Sequence, residues 1–298
     1  MKSKLGKKLS IGKIIIYMLL FATAVLCVLP FMYLLAVSLS SSTAVAGGKV
    51  TLFPVDITFV AYEFVLNSMP FIRSFGISVI RVVVGVAINL LLVIITAYPM
   101  SKSDGTMRGR KFYTWFFMFA MLFAPSLIPS YIVIKELGMI DTLWALVLPC
   151  AFPIFNMVVV MNFFRGLPKA LGEAATIDGA GHFTMLWRIY APLSMPSLAT
   201  ITLYSVVGHW NSWFDGLIYM NHPEKYPLQS YLQTVIINPE SAFQMMQNNP
   251  NVGNIISLVS NQTTKAAQLF IAMVPVLLFY PLVQKYFTTG LVLGSVKE

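Results

Sequence analysis

The sequence predicts an all-α polytopic membrane protein with six transmembrane helices, on two observations: how apolar the chain is and how the apolar residues are grouped. Of 298 residues, 57% are hydrophobic and 10% charged, where a soluble domain carries about 25% charged residues. A helical crossing needs about 20 mostly apolar residues. Six stretches free of Asp, Glu, Lys and Arg meet that need: residues 14–39, 82–101, 112–134, 142–164, 197–214 and 266–284. They are too continuous for the alternating strands of a membrane barrel, so helices are the spanning structure.

The first span follows Lys2, Lys4, Lys7, Lys8 and Lys13, which places residues 1–13 in the cytoplasm by the positive-inside rule. Ala44-Val45-Ala46 resembles a signal-peptidase site. The apolar run before it is longer than a signal-peptide core, so a retained helix is expected. The second span begins near Phe75 and takes in Arg81. Its cytoplasmic end is marked by Lys102, Arg108, Arg110 and Lys111, that of span four by Arg165, Lys169 and Arg188, and the C-terminal tail, residues 285–298, by Lys285 and Lys297. Fourteen of the twenty basic residues are thus cytoplasmic, and only Lys49, Lys135, Lys225 and Lys265 fall in outer loops. The net charge of +9 reads as topology and needs no nucleic acid partner. Cys27 and Cys150 lie inside spans without metal-ligand spacing and read as small apolar residues.

Proline interrupts span three at Pro125 and Pro129, span four at Pro149 and Pro153, and span six at Pro275 and Pro281. Each removes a backbone donor and bends its helix. Packing kinks and hinges both fit. Span five, expected to continue past Asp215 to Tyr219, carries His209, Trp210, Asn211, Ser212, Trp213 and Asp215, a group too polar to face lipid. Asn211 and Asp215, four apart, would share a helical face turned to a cavity, with Ser212 beside them. The tryptophans fit either a cavity wall or an interfacial belt. Aromatic faces beside planar polar groups suit a carbohydrate. Arg81 either snorkels to an interface or pairs with Asp215, and the sequence leaves both open.

Between spans four and five, residues 165–196 read as a helix–turn–helix. Leu171, Ala174, Ala175 and Ile177 are apolar and Glu173 polar in the first helix; Asp178-Gly179 ends that helix; Phe183, Leu186, Trp187 and Ile189 stripe the next; Pro192 and Pro196 lead into span five. An amphipathic hairpin resting on lipid would have the same outline. The particular run of Glu173, Ala174, Ala175, Asp178, Gly179, Ala180, Ile189, Pro192 and Pro196 resembles the EAA loop of type I ABC importer permeases, with Leu186 standing at the usual aromatic position.

The likeness extends through Val28-Leu29-Pro30-Phe31, Asp141-Thr142-Leu143-Trp144-Ala145, Gly208-His209-Trp210-Asn211-Ser212 and Gln284-Lys285-Tyr286-Phe287. These segments are similar to those of carbohydrate-uptake permeases of the maltose-permease superfamily, and to its complex-oligosaccharide, aldouronate-type branch. The resemblance implies a type I importer transmembrane fold over residues 14–284 in a bacterial plasma membrane. It makes the hairpin the coupling helix for a cytoplasmic ATPase, with Glu173 facing a basic partner. It implies a second homologous permease, two cytoplasmic ABC ATPase subunits that bind ATP and Mg, and an extracellular substrate-binding protein. The outer loop 221–265, which includes Glu240 and Asn248 to Asn251, either meets that protein or is a solvated loop with a short reentrant or surface helix.

The sequence has no Gly-x-x-x-x-Gly-Lys-Ser/Thr phosphate loop, metal-ligand cluster or nucleophile motif, so the chain is not expected to be an enzyme or to hold a cofactor. The rival reading, an ion-coupled secondary transporter, would favour paired repeats and matched intramembrane acids. A membrane-embedded enzyme would need clustered titratable groups, and His182, His209 and His222 stand apart.

Overall fold

The computed structural model describes residues 11–103, 107–123, 125–237 and 260–294, with side chains as far as residue 286. Every regular element among them is helical: α1 Ile11–Ser38, α2 Ser42–Ala46, α3 Val60–Leu66, α4 Met69–Ser101, α5 Arg110–Leu122, α6 Leu127–Glu136, α7 Leu143–Val147, α8 Ile154–Gly166, α9 Lys169–Ile177, α10 His182–Met185, α11 Ala191–Leu193, α12 Met195–Asn211, α13 Phe214–Tyr219, α14 Leu228–Ile237 and α15 Asn261–Gly294.

Three helices among the described residues are long and apolar enough to cross a membrane, Ile11–Ser38, Met69–Ser101 and Asn261–Tyr286, with mean hydropathies of 2.6, 2.6 and 2.1. Two broken pairs, Arg110–Leu122 with Leu127–Glu136 and Leu143–Cys150 with Ile154–Gly166, make the number five if each pair is one span. The breaks fall at the prolines. Pro125 lies between α5 and α6, and Pro153 is the residue before α8, where the axis bends by 46°. Pro275 and Pro281 instead lie within the unbroken α15. The expected fifth span is shorter than a full crossing: α12 has 17 residues and stops at Asn211.

The chain forms two compact units, residues 1–69 with 235–273 and residues 70–234 with 274–298. In the first, Ala36, Val37, Ala44, Val50 and Ala266 form a small core. Ser40 Oγ donates to the Ala36 carbonyl at 2.6 Å and accepts from the Val55 amide at 3.0 Å, turning the chain after α1. Most of α1 is exposed, as an apolar helix against lipid would be.

The second unit has a larger core in which Val93, Ala97 and Tyr98 of α4 meet Met157, Val160 and Phe164 of α8, Ala175, Leu186, Tyr190, and Leu198 and Ile201 of α12. Part of the expected outer loop also belongs inside. In α14, Leu228, Tyr231 and Leu232 are buried, the Leu228 amide donates to Ser78 Oγ at 2.7 Å, and Tyr231 packs edge-on against Phe71. An apolar stretch this close to α4 gains more by burial than as a solvated loop. Glu240 and Asn248 to Asn251 lie outside the described residues.

Candidate functional site

Along α4, Arg81, Gly85 and Asn89 are spaced by four, so they share one face, and that face is buried. Arg81 and Asn89 each attend to a break in a neighbouring helix. Pro153 has no N–H, and the α7-to-α8 break leaves the carbonyls of Cys150 and Ala151 without helical donors. Asn89 Nδ2 donates to both, at 2.8 and 2.9 Å. Its carbonyl oxygen accepts from His209 Nε2 at 3.3 Å.

Gly85 lets that histidine in. A Cβ there would lie 2.5 Å from His209 Nε2, closer than real contacts allow.

The second break separates α12 from α13. Ser212 adopts an extended conformation (φ −71°, ψ 119°), and its carbonyl accepts from Arg81 Nη1 at 3.2 Å. Arg81 is fully buried and forms a two-pronged ion pair with Asp215, Nη1 to Oδ1 at 3.2 Å and Nη2 to Oδ2. Ser212 Oγ and the Gly216 amide each donate to Asp215 Oδ1 at 2.9 Å, and Ser230 Oγ donates to the Trp213 carbonyl at 2.6 Å. A buried guanidinium is tolerable only when paired and hydrogen-bonded. A cavity of about 260 Å³ lies among Arg81, Asn89, Cys150, Asn156, Tyr204, Ser205, His209 and Ser212, large enough for several waters.

The open choice for Arg81 is therefore decided in favour of Asp215. The shared face of Asn211 and Asp215 is not formed, because the chain leaves helical geometry at Ser212 between them: Asn211 is exposed while Asp215 turns to Arg81. His209 is buried. Trp210 is buried edge-on to Phe75, with centroids 5.6 Å apart, whereas Trp213 is exposed. Asn89, Asn156 and Ser205 escaped the sequence reading, although Arg81-Gly85-Asn89 at intervals of four was a visible signal. Asn156 Nδ2 donates to Ser205 Oγ at 3.3 Å.

The hairpin has a different character. Its first helix, α9, ends with the Asp178 amide bonded to Ala174 O and the Ala180 amide to Ala175 O, at 3.0 and 2.9 Å. Gly179 takes φ +75°, a conformation that an L side chain adopts only with strain. The second helix passes through a π turn, Leu186–Tyr190, into α11, and Pro192 and Pro196 occupy the first turns of α11 and α12. Ala175 and Leu186 are buried in the chain's own core, Ala180 and Ile189 pack against it, and Glu173, Ala174, Asp178 and Pro192 are exposed. The apolar groups presented outward are Ile177 and Phe183, 86% and 75% exposed. Leu186, which stands where the resemblance places an aromatic, is turned inward into the core that also holds Tyr98 and Phe164.

On the side of α6 and α7, Asp141 holds the segment that follows α13. It accepts from Lys225 Nζ at 2.5 Å and from the Asn221 amide at 3.1 Å, with His222 Nε2 at 3.6 Å. The bond from Lys225 is the main cause that holds its carboxyl below the ordinary carboxylate range. Among the described residues no group of three His, Cys, Asp or Glu side chains is placed to hold a metal ion.

No family model matches the chain. It is 39% identical to protein LplC of Bacillus subtilis over 91% of this chain and 89% of the relative. It is 36% identical to the polygalacturonan/rhamnogalacturonan transport system permease protein YtcP of the same bacterium, over 95% and 97%. The fold superposes with a TM-score of 0.85, at 32% identity and covering 96% and 100% of the two chains, on a chain from the crystal structure of a bacterial ABC transporter involved in the import of the acidic polysaccharide alginate. The chain belongs to the permease subunits of carbohydrate-importing ABC transporters. As such a permease it is membrane-embedded and multi-pass, works with an ATPase complex, and is not itself the ATPase. The ion-coupled reading falls with that membership.

Proposed function

We propose that this permease carries an oligosaccharide released from an acidic polysaccharide, and that hairpin 165–196 receives the ATPase stroke. The exposure of Ile177 and Phe183 on either side of the left-handed Gly179 carries the second part. Two large apolar groups left exposed on either side of a tight turn are a surface prepared for another protein. Glu173, also exposed, supplies the carboxylate for a basic partner. Ala174, Ala175, Asp178, Ala180, Leu186, Ile189, Pro192 and Pro196 build the hairpin rather than touch the partner through their side chains alone.

The chain is taken to cross six times, α12 with α13 counting as one broken span, with both termini and the hairpin cytoplasmic in a bacterial plasma membrane. The distribution of lysine and arginine supports this. Its partners are a second homologous permease, two ATPase subunits that bind ATP and Mg, and an extracellular binding protein that delivers the sugar. The acidic class is supported by relatives named for polygalacturonan, a polymer of a uronic acid, and for alginate import; an aldouronate-type oligosaccharide falls within it. His209, Trp210, Asn211, Ser212, Trp213 and Asp215 then divide into two groups. His209, Trp210, Ser212 and Asp215 frame the pathway wall, and Asn211 and Trp213 are exposed to meet substrate or the second permease.

In this mechanism ATP binding closes the ATPases around the hairpin, and the broken spans re-angle to open the pathway outward. Nucleotide can drive this only by binding the two states unequally. The test is purification of the assembled transporter followed by ATPase turnover with sugar-loaded binding protein. Wild type should be stimulated, and Gly179→Pro should lose stimulation while the permease pair remains assembled. Full stimulation of the variant would overturn the coupling role, and stimulation by neutral but not uronate oligosaccharides would overturn the substrate class.

A further inference from the structure

Two cavities meet where the end of α4 faces the hairpin. One, of about 450 Å³, is lined by Ile95, Tyr98, Pro99, Met107, Phe183 and Leu186 and is mostly apolar. The other, of about 560 Å³, carries Lys102, Arg110, Arg165 and Lys169 against the carboxylate of Glu173. Lys102 and His182 line both, so an apolar chamber opens beside a cationic one. Lys102 Nζ stands 3.8 Å from the Tyr190 ring centroid and 4.4 Å from that of Tyr98, held at the junction by aromatic faces. His182 Nδ1 is 3.3 Å from Tyr98 Oη, and Arg165 donates to the Met100 carbonyl at 3.0 Å. Lys102 and Arg165 each lie one residue beyond an uncharged stretch, 82–101 and 142–164. That is the depth of lipid headgroups.

We propose that this double cavity binds one anionic phospholipid, its phosphate beside Lys102, Arg165 and Lys169 and the start of an acyl chain in the apolar chamber. Charge complementarity selects an anion, and the adjoining apolar chamber selects a lipid over free phosphate. A lipid seated here would join the end of α4 to the hairpin, making transport responsive to the anionic content of the membrane. The leaflet, the cytoplasmic one, rests on the orientation proposed above; the site itself does not.

The test uses the assembled transporter in phosphatidylcholine nanodiscs titrated with phosphatidylglycerol, with retained lipid counted by native mass spectrometry. Wild type should retain one phosphatidylglycerol per copy of this chain beyond the background of other sites. Lys102→Gln with Lys169→Gln should weaken retention about thirtyfold. Ile95→Trp, which fills the apolar chamber and leaves the charge unchanged, should weaken it as well. Equal retention in the double variant would overturn the site. Displacement by inorganic phosphate together with unaffected Ile95→Trp would overturn the lipid and leave a free-anion site. If the hairpin does not dock an ATPase, the ATPase will be missing from the wild-type complex while the lipid count on the permease stands, so the two failures are separable.

Discussion

The α4 face and the hairpin are both rich in features that sequence reasoning flags, yet they satisfy them in opposite ways. Arg81 and Asn89 find their main partners within the same chain: the carboxylate of Asp215, the carbonyls of Cys150, Ala151 and Ser212, and His209. At the hairpin, Ile177, Phe183 and Glu173 are left exposed. Polar bonds within the chain hold the broken helices in place, whereas the apolar groups around the hairpin turn have no such cover. The contrast separates residues that shape the permease from those proposed to connect it to the ATPase.

The largest expected effect comes from breaking the buried ion pair. Arg81→Leu leaves Asp215 uncompensated and should cost about 3 to 5 kcal/mol, read as a fall in thermal unfolding temperature in detergent. Adding Asp215→Leu should recover most of that loss, except for the Ser212 carbonyl and hydroxyl and the Gly216 amide left without partners. No recovery would mean that the pair is not the source of the stability. Asn89→Leu should cost about 1 to 3 kcal/mol for each of the two carbonyls it abandons. Asn89→Asp, which keeps the shape but loses the donors, should not restore it.

Gly85→Val drives a side chain into the His209 ring, and such overpacking costs about 1 to 3 kcal/mol. His209→Ala in the same chain should relieve it, and purely additive losses would argue against the close approach. A smaller effect is expected at Asp141. Its carboxyl is held below the ordinary range by Lys225, so its contribution to stability is present above the ordinary carboxylate pKa and lost as pH falls through the depressed one. Acid unfolding curves of wild type and Asp141→Asn should therefore differ at neutral pH and converge in acid. The partners are exposed, at 50% for Lys225, so salt should shrink the difference.

At the other extreme, Ile177→Ser with Phe183→Ser should change unfolding by no more than about 0.5 kcal/mol while reducing ATPase co-purification. A large loss of stability would place these two residues in the chain's own packing and undo the contrast.

How much of this was legible beforehand varies by residue. The hairpin boundaries, the turn at Gly179 and the breaks at Pro125 and Pro153 could be read from the chain, since each follows from local backbone preference: glycine's access to positive φ, proline's missing donor. The inward turn of Leu186 could not, because the stripe holding Phe183, Leu186, Trp187 and Ile189 is apolar along its whole length, and only the position of Tyr98 and Phe164 decides which part is covered.

The sequence by itself determined that the chain lives in a membrane, which segments carry positive charge, and that a glycine turn lies between two short helices after its fourth apolar stretch. Those are properties of composition, order and local conformation. Tertiary structure alone decided that Arg81 pairs with Asp215, that the helix after the hairpin breaks at Ser212 so Asn211 and Asp215 part company, and that Asn89 caps backbone carbonyls 61 and 62 residues away in the chain. These choices depend on which unsatisfied backbone group comes to rest beside which side chain. No local preference encodes that distance.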